Sequence, residues 1–398
     1  MNGSISGSSV TAEASVVIIG GGVMGTSTAY QLARSGVQGV VLLEAGELAG
    51  GSSGKPLGGV RAQFSDPANI ALGARSLTAF HRFAEDFGVD IAYRQVGYLF
   101  LIREAADVPR YQASIDLQNA MGVDSMIISA AEAAALSPYV DGSAVVAAAW
   151  SPNDGFARPT AVVHGYAAAA VALGAEVRTG SPVVGIDRLG DGRVTVRTGN
   201  GLAVTTATII CTCGAWSGQL AAMVDVALPI EPLRRQIAFT APLRPRPPSN
   251  TPFTIDYSTT AYFHCNEDSS GLLIGMADQS QEVAFDTSVT TDWHAGLRDA
   301  LSEFAPSLAQ VPLIAGWAGL YEMTPDCNAV IGEADTLERN GFRFLYAAGF
   351  SGHGFLQGPA VGEVMRDLYL GRPPVVDVSA FDARRFATAV TRTELNII

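Results

Sequence analysis

The sequence predicts an α/β fold of the α+β kind, in which a discontinuous unit on a parallel sheet encloses a second, β-rich unit. Three observations carry this. Strand, glycine turn and helix follow one another near both ends of the chain, from Ser15 and again from Phe344. Between them, Asp191-Gly192 and Gly199-Asn200-Gly201 split strand-like runs, as hairpin turns do. The 398 residues are 48% hydrophobic and only 16% charged, which suits a large core, excludes a disordered chain and leaves room for two to three domains of about 150 residues.

The elements follow in order. Ser15–Ile19 is a short β-branched run, hence a buried strand. A helix is expected from Val23 to Arg34, closed by Gly36. Val40–Leu43 is again continuously apolar, as a second parallel strand would be. Helices are expected over Pro67–Phe87 and Pro159–Leu173. Val183–Arg188, Val194–Thr198 and Ala203–Cys213 read as an antiparallel meander, and Ile230–Phe285 as strand-rich with a Pro-rich loop. A helix over Thr291–Phe304, a strand at Phe344–Ala348 and a helix over Pro359–Leu370 complete the pattern. Met1–Ala14 is small and polar and reads as a disordered lead-in.

Composition excludes several classes. The net charge of −13, with no basic tract, argues against nucleic acid and against an anionic membrane surface. Four cysteines without metal-ligand spacing argue against a disulfide framework or zinc site, and no metal is expected. No run of about 18 apolar residues occurs, so no membrane span is expected. Without a signal-like leader, the expectation is a cytoplasmic protein. Lys55 is the single lysine.

Gly20-Gly21-Gly22-Val23-Met24-Gly25 matches G-x-G-x-x-G between a strand and a helix, the context that makes this pattern a dinucleotide fingerprint. Gly20 permits the tight turn, Gly22 the approach of a pyrophosphate, and Gly25 close helix–strand packing. The helix start then offers unpaired N–H groups and its positive dipole end. Glu44 ends the second strand and can accept both ribose hydroxyls. The fingerprint alone leaves NAD and FAD open. A second polar loop, Gly50-Gly51-Ser52-Ser53-Gly54, and a glycine-rich turn, Gly349–Phe355, offer further backbone N–H groups. A long ligand held from both ends of the chain suits FAD better.

With these, Cys213-Gly214-Ala215-Trp216-Ser217, Trp317-Ala318-Gly319-Leu320-Tyr321 and Thr324-Pro325-Asp326 make the chain resemble the glycine/D-amino-acid oxidase family of flavoproteins. Its likeness is greatest to the branch of sarcosine oxidase, the sarcosine oxidase β-subunit and amino-acid dehydrogenases. The resemblance implies FAD between a Rossmann-like domain (15–90, 150–222, 325–390) and a β-rich substrate domain (91–149, 223–324). It implies that Gly20, Gly22, Val23, Met24, Gly25, Glu44 and Ala45 hold the ADP half. Gly51, Ser52, Ser53, Val184, Gly214 and Trp216 would line the adenosine and pyrophosphate region. Gly349, Gly352, His353, Gly354, Leu356 and Gln357 would lie along the isoalloxazine.

Departures from the family pattern narrow the expectation. Gly319 stands where monomeric sarcosine oxidases tether the flavin through cysteine, so FAD should be non-covalent. Arg158-Pro159-Thr160 replaces the stretch that anchors a second flavin, FMN, in β-subunits. Leu273 and Leu356 stand where fast oxidases carry lysines.

The expected chemistry is oxidation of the C–N bond of a small-molecule amino acid or secondary amine, by hydride transfer to flavin N5. The imine so formed hydrolyses. Oxygen, a quinone or a protein would take the electrons. Arginine is the usual fork for a substrate carboxylate. Arg61 is the first candidate, for substrate or for flavin, and Arg235 the second. Tyr257, Tyr262 and Tyr321 wall the pocket, donate to a carboxylate, or pack in the sheet. His353, between glycines, is the candidate catalytic residue. The rival reading is a flavin-binding assembly factor or non-catalytic subunit without turnover.

Overall fold

A computed structural model describes residues 11–278, 280–387 and 392–396. A six-stranded sheet forms the first layer. Its order is Val330–Ala334, Arg343–Ala348, Thr208–Cys211, Val16–Ile19, Val40–Leu43, Glu176–Arg178. All neighbours are parallel except the first pair. Alternation sorts the side chains to two faces. Val16, Ile18, Val40 and Leu42 pack with helices Val23–Arg34, Pro67–His81, Pro159–Ala172 and Gly354–Tyr369. Val17, Ile19, Val41 and Leu43 pack with Val194, Val196 and Val204 of a small four-stranded sheet.

An eight-stranded sheet forms the second body. It runs Leu313–Met323, Glu231–Thr240, Leu272–Met276, Ala261–Cys265, Phe253–Asp256, Tyr98–Ile102, Ala147–Ser151, Met126–Ser129. One face buries Leu297, Leu301 and Phe304 of helix Trp293–Phe304. The other carries Tyr98, Phe100, Ile237, Phe253, Ile255 and Tyr262, and most of these look into the cavity described below.

Four expectations need correction. Thr11–Glu13 is not disordered; it pairs parallel with Ala203–Thr205 at the edge of the small sheet. Its contribution is backbone hydrogen bonding, which composition does not reveal. Met1 to Val10 lie outside the described residues. The run Ala203–Cys213 is two strands, Ala203–Thr206 and Thr208–Cys211, in different sheets. Thr206 Oγ1 bonds both the N–H and the carbonyl of Thr208, which frees the backbone to change direction. The expected helix Pro67–Phe87 breaks at Arg82 into Pro67–His81 and Phe83–Phe87. The last helix starts at Gly354 rather than Pro359, which sits inside it. Tertiary packing sets that start: Ser27 Oγ donates to the Gly358 carbonyl at 2.8 Å. A Cβ on Gly358 would stand 2.4 Å from Val23 Cγ2.

Candidate cofactor and active site

A cavity of about 590 Å³ runs between the two large sheets, within the usual range for small-molecule and cofactor sites. The glycine turn forms one end. Gly20 has φ +113°, and a Cβ there would stand 2.2 Å from the Thr212 carbonyl oxygen. A Cβ on Gly25 would stand 1.9 Å from the Gly20 oxygen, so only glycine lets helix and turn close. Gly21 N–H donates to Glu44 Oε2 at 2.6 Å and Gly46 N–H to Oε1 at 2.8 Å. These bonds orient the carboxylate on the wall and leave it further acceptor sites. Val23 N–H donates to Ser53 Oγ at 2.9 Å. Ser52 Oγ is buried on the wall without a hydrogen-bond partner.

Mid-cavity, Gly214 (φ +54°) lies beside Glu322, where a Cβ on Gly214 would stand 3.6 Å from Glu322 Oε2, and Trp216 lines the same wall. The Gly349 N–H donates to Glu322 Oε2 at 3.0 Å. Burial pushes the Glu322 carboxyl up to about 7 despite that bond.

The far end holds Arg61, Tyr98, Arg235, Phe253, Tyr262, Tyr321 and His353. Arg61 is 6% exposed, and its guanidinium lies 4.1 Å above the Phe64 ring. It donates to the carbonyls of Gln63 and Asn396. Burial lowers its pKa, against the pull of Tyr98, Glu394 and Asp154. Asp154 is itself pushed to about 7, chiefly by burial, while its Oδ1 accepts the Ala62 N–H at 3.1 Å. Arg235 lies 5.2 Å from the Tyr321 ring, and its Nε is buried without a partner. Burial lowers His353 to about 3, so the imidazole is neutral, and neither ring nitrogen makes a well-formed hydrogen bond.

An adenine dinucleotide fits this donor set: a glycine cradle that a Cβ would fill, an oriented carboxylate and an unpartnered hydroxyl. The FAD dependent oxidoreductase (DAO) family model matches residues 15–368. The chain belongs to that family of FAD-dependent oxidoreductases. L-proline dehydrogenase from P. horikoshii superimposes with a TM-score of 0.88 at 30% identity, over 96% of this chain and 100% of that one. Mitochondrial sarcosine dehydrogenase of Homo sapiens is 27% identical over 95% of this chain. The 4-methylaminobutanoate oxidase (formaldehyde-forming) of Paenarthrobacter nicotinovorans is 27% identical over 93%. The chain spans 42% and 45% of the length of these last two.

Within this family member, the structure gathers most residues expected from sequence. On the wall stand Gly20, Gly22, Val23, Met24, Glu44, Ala45, Gly51, Ser52, Ser53, Gly214 and Trp216. Gly352, His353, Gly354, Leu356, Arg61, Arg235, Tyr262 and Tyr321 join them. Gly25 and Gly349 lie just behind it. Val184 instead points outward, 53% exposed, and Val183 lines the cavity in its place. A bulge between Val183 and Gly185 shifts the side-chain alternation there. Tyr257 is off the wall, edge-on to Tyr111 at 5.5 Å beneath the Arg110 guanidinium. Gln357 is fully buried and donates to Asn69 Oδ1 at 3.0 Å. The single lysine, Lys55, stands on the wall against Gly319. Tyr98, Asp154, Glu322, Glu394 and Asn396 were not expected at all. Tyr98 alone left a signal, as an aromatic in the apolar run Tyr98–Ile102.

No helix among the described residues is long and apolar enough to cross a membrane, and these residues hold no cluster able to bind a metal.

Proposed function

We propose that the protein oxidises the C–N bond of a carboxylate-bearing amino acid or secondary amine. The carrying observation is the cavity's far end, where Arg61 and Arg235 stand among Tyr98, Phe253, Tyr262 and Tyr321. Bound FAD supplies the two-electron acceptor for a hydride leaving the substrate's α-carbon, and the resulting imine hydrolyses in water. Glu44 would take the ribose, and Gly20 and Gly22 would admit the pyrophosphate. Backbone N–H groups at the start of helix Gly354–Tyr369 would offset negative charge on the reduced cofactor. The arginines would hold the carboxylate and so fix which C–H faces the cofactor. The aromatic walls exclude water, and neutral His353 can take a hydrogen bond without adding charge.

The names of the relatives, acting on proline, sarcosine and 4-methylaminobutanoate, support a substrate with a carboxylate and a secondary amine. The division into FAD (15–90, 150–222, 325–390) and substrate (91–149, 223–324) domains belongs to this reading, supported by the separate sheets.

Anaerobic mixing with sarcosine, proline, and D- and L-amino acids tests the proposal. Bleaching of the flavin's visible band by a carboxylated amine, and not by its decarboxylated analogue, is expected. A flavin that no amine bleaches would overturn it in favour of a subunit without turnover.

A further inference from the structure

Arg61 is held from behind by the far end of the chain, 335 residues away, where the Asn396 carbonyl accepts from its guanidinium. Two residues earlier stands Glu394, only 1% exposed. Its Oε1 accepts from Ser65 N–H at 2.9 Å, Ser65 Oγ at 2.7 Å and Asn396 N–H at 2.9 Å. Its Oε2 accepts from Asp66 N–H and Asn69 Nδ2, both at 3.0 Å. Burial pushes this carboxyl's pKa up, but the bonds from Ser65, Asn396 and Asn69 outweigh it and leave the group below the ordinary glutamate value.

A buried carboxylate costs several kcal/mol unless its lone pairs are met, and here all the donors come from two places. One is the stretch Ser65–Asn69, which opens helix Pro67–His81 just after Arg61 and Phe64. The other is the segment's own Asn396. Asn69 extends the chain of bonds to Gln357, in the first turns of the helix that follows His353. The segment is seated independently by the Asn328 amide on the Arg392 carbonyl and by Leu395 N–H on Ser65 Oγ at 2.9 Å. Carbonyls thus consume part of the Arg61 guanidinium's donors and fix its plane over Phe64. Its remaining donors are those available to the cavity.

We propose that Arg392–Asn396 is a positioning element of the substrate site: Glu394 and the Asn396 carbonyl set Arg61 and Gln357, and so set affinity for carboxylate-bearing ligands. The inference rests on reading the Arg61 end as the carboxylate end. Glu394 is a positioning residue, since it reaches the cavity through Arg61, Asn69 and Gln357.

The test uses the FAD-loaded full chain, E394Q, and a chain ending at residue 391. Cyclopentanecarboxylate and its uncharged carboxamide are titrated against the flavin's visible spectrum. Both variants should keep FAD at the wild-type ratio and bind the carboxylate about tenfold or more weakly, with carboxamide binding unchanged. Equal weakening of both ligands, weakening of neither, or loss of FAD would overturn the inference. Should the shortened chain fail to fold, E394Q decides by the same comparison. A wild type that binds acid and amide alike overturns the carboxylate reading, and this inference with it. A wild-type preference for the acid that survives in the variants overturns this inference alone.

Discussion

Gly319 yields its side-chain space to Lys55: a Cβ at 319 would stand 2.5 Å from Lys55 Cβ. Gly319 also sits directly across the sheet from Arg235, and directly opposed residues share a face. The chain's one lysine therefore packs on the cavity wall at the position where monomeric sarcosine oxidases resemble this sequence but carry a tethering cysteine.

Non-covalent FAD follows from that position. Acid precipitation should release a yellow supernatant that runs as FAD in chromatography. Flavin left in the pellet, or FMN in the supernatant, would contradict it. A cysteine introduced by G319C has no room until Lys55 moves, so it should not create a tether by itself.

Glu44→Ala should weaken FAD more than Arg61→Ala does. Two of the Glu44 acceptor sites hold Gly21 and Gly46, so the substitution frees the turn as well as removing ribose contacts. Each charge-assisted hydrogen bond is worth about 1.5–3 kcal/mol. Titration of apoprotein with FAD should show a rise in Kd of at least about tenfold for Glu44→Ala. Arg61→Ala should instead raise the concentration of carboxylated amine needed for half-maximal anaerobic reduction. Equal FAD affinity in both variants would remove the ribose role from Glu44.

What the sequence revealed and what it hid differ in range. The turn Gly20–Gly25 and Glu44 are legible because strand, turn and helix are local, and each glycine answers to a neighbour or to Thr212. The alternation of Val16–Ile19 and Val40–Leu43 likewise reads directly as two buried faces. Glu394 and Asn396 were invisible, because an acidic residue near a chain end looks solvated until the fold surrounds it with Ser65, Asp66 and Asn69. Asp154 and Glu322 were hidden for the same reason: their burial is a property of the closed cavity. Val184 was misplaced by a local bulge, and Tyr257 because it falls just past the strand Phe253–Asp256 and packs against Tyr111 and Arg110, neither of which composition encodes.

Glu322 should make the folded protein lose stability as pH rises. Below its ordinary value of 4.5 the carboxyl is protonated in both folded and unfolded chains. From there to about 7 the unfolded chain releases the proton while the folded chain keeps it, so stability falls through that window and the full penalty stands above it. The difference corresponds to roughly 3 kcal/mol for one group. Phosphates of a bound cofactor would raise the folded value further, with the same sign. E322Q keeps an acceptor for Gly349 and removes the titration. Its melting temperature should match the wild type near the acid end of the window and exceed it on the alkaline side. Parallel melting curves across the window would show that Glu322 is ionised in the fold or exposed.

The electron acceptor is the last point the site bears on. Oxygen takes its first electron as superoxide, and a nearby fixed positive charge stabilises that anion. Leu273 and Leu356 occupy the places where related fast oxidases carry lysines. Leu356 lines the cavity and brings no charge there, while Leu273 packs into the sheet's apolar face. The cations on the wall are Lys55, Arg61 and Arg235. Arg61 is bonded to carbonyls, and in our reading both arginines serve the substrate carboxylate. Lys55 forms no ion pair with another described residue and remains the group able to serve oxygen. Slow reoxidation by oxygen is the expected outcome, with faster reoxidation by an artificial dye standing in for a quinone or protein. K55M should slow the oxygen reaction further, by about tenfold, while anaerobic reduction by substrate stays near the wild-type rate. Stopped-flow mixing of the reduced protein with oxygen and with dye measures both. Reoxidation by oxygen as fast as turnover, with hydrogen peroxide formed in step, would make the protein an oxidase. If K55M then left that rate unchanged, the stabilising charge would fall to Arg235.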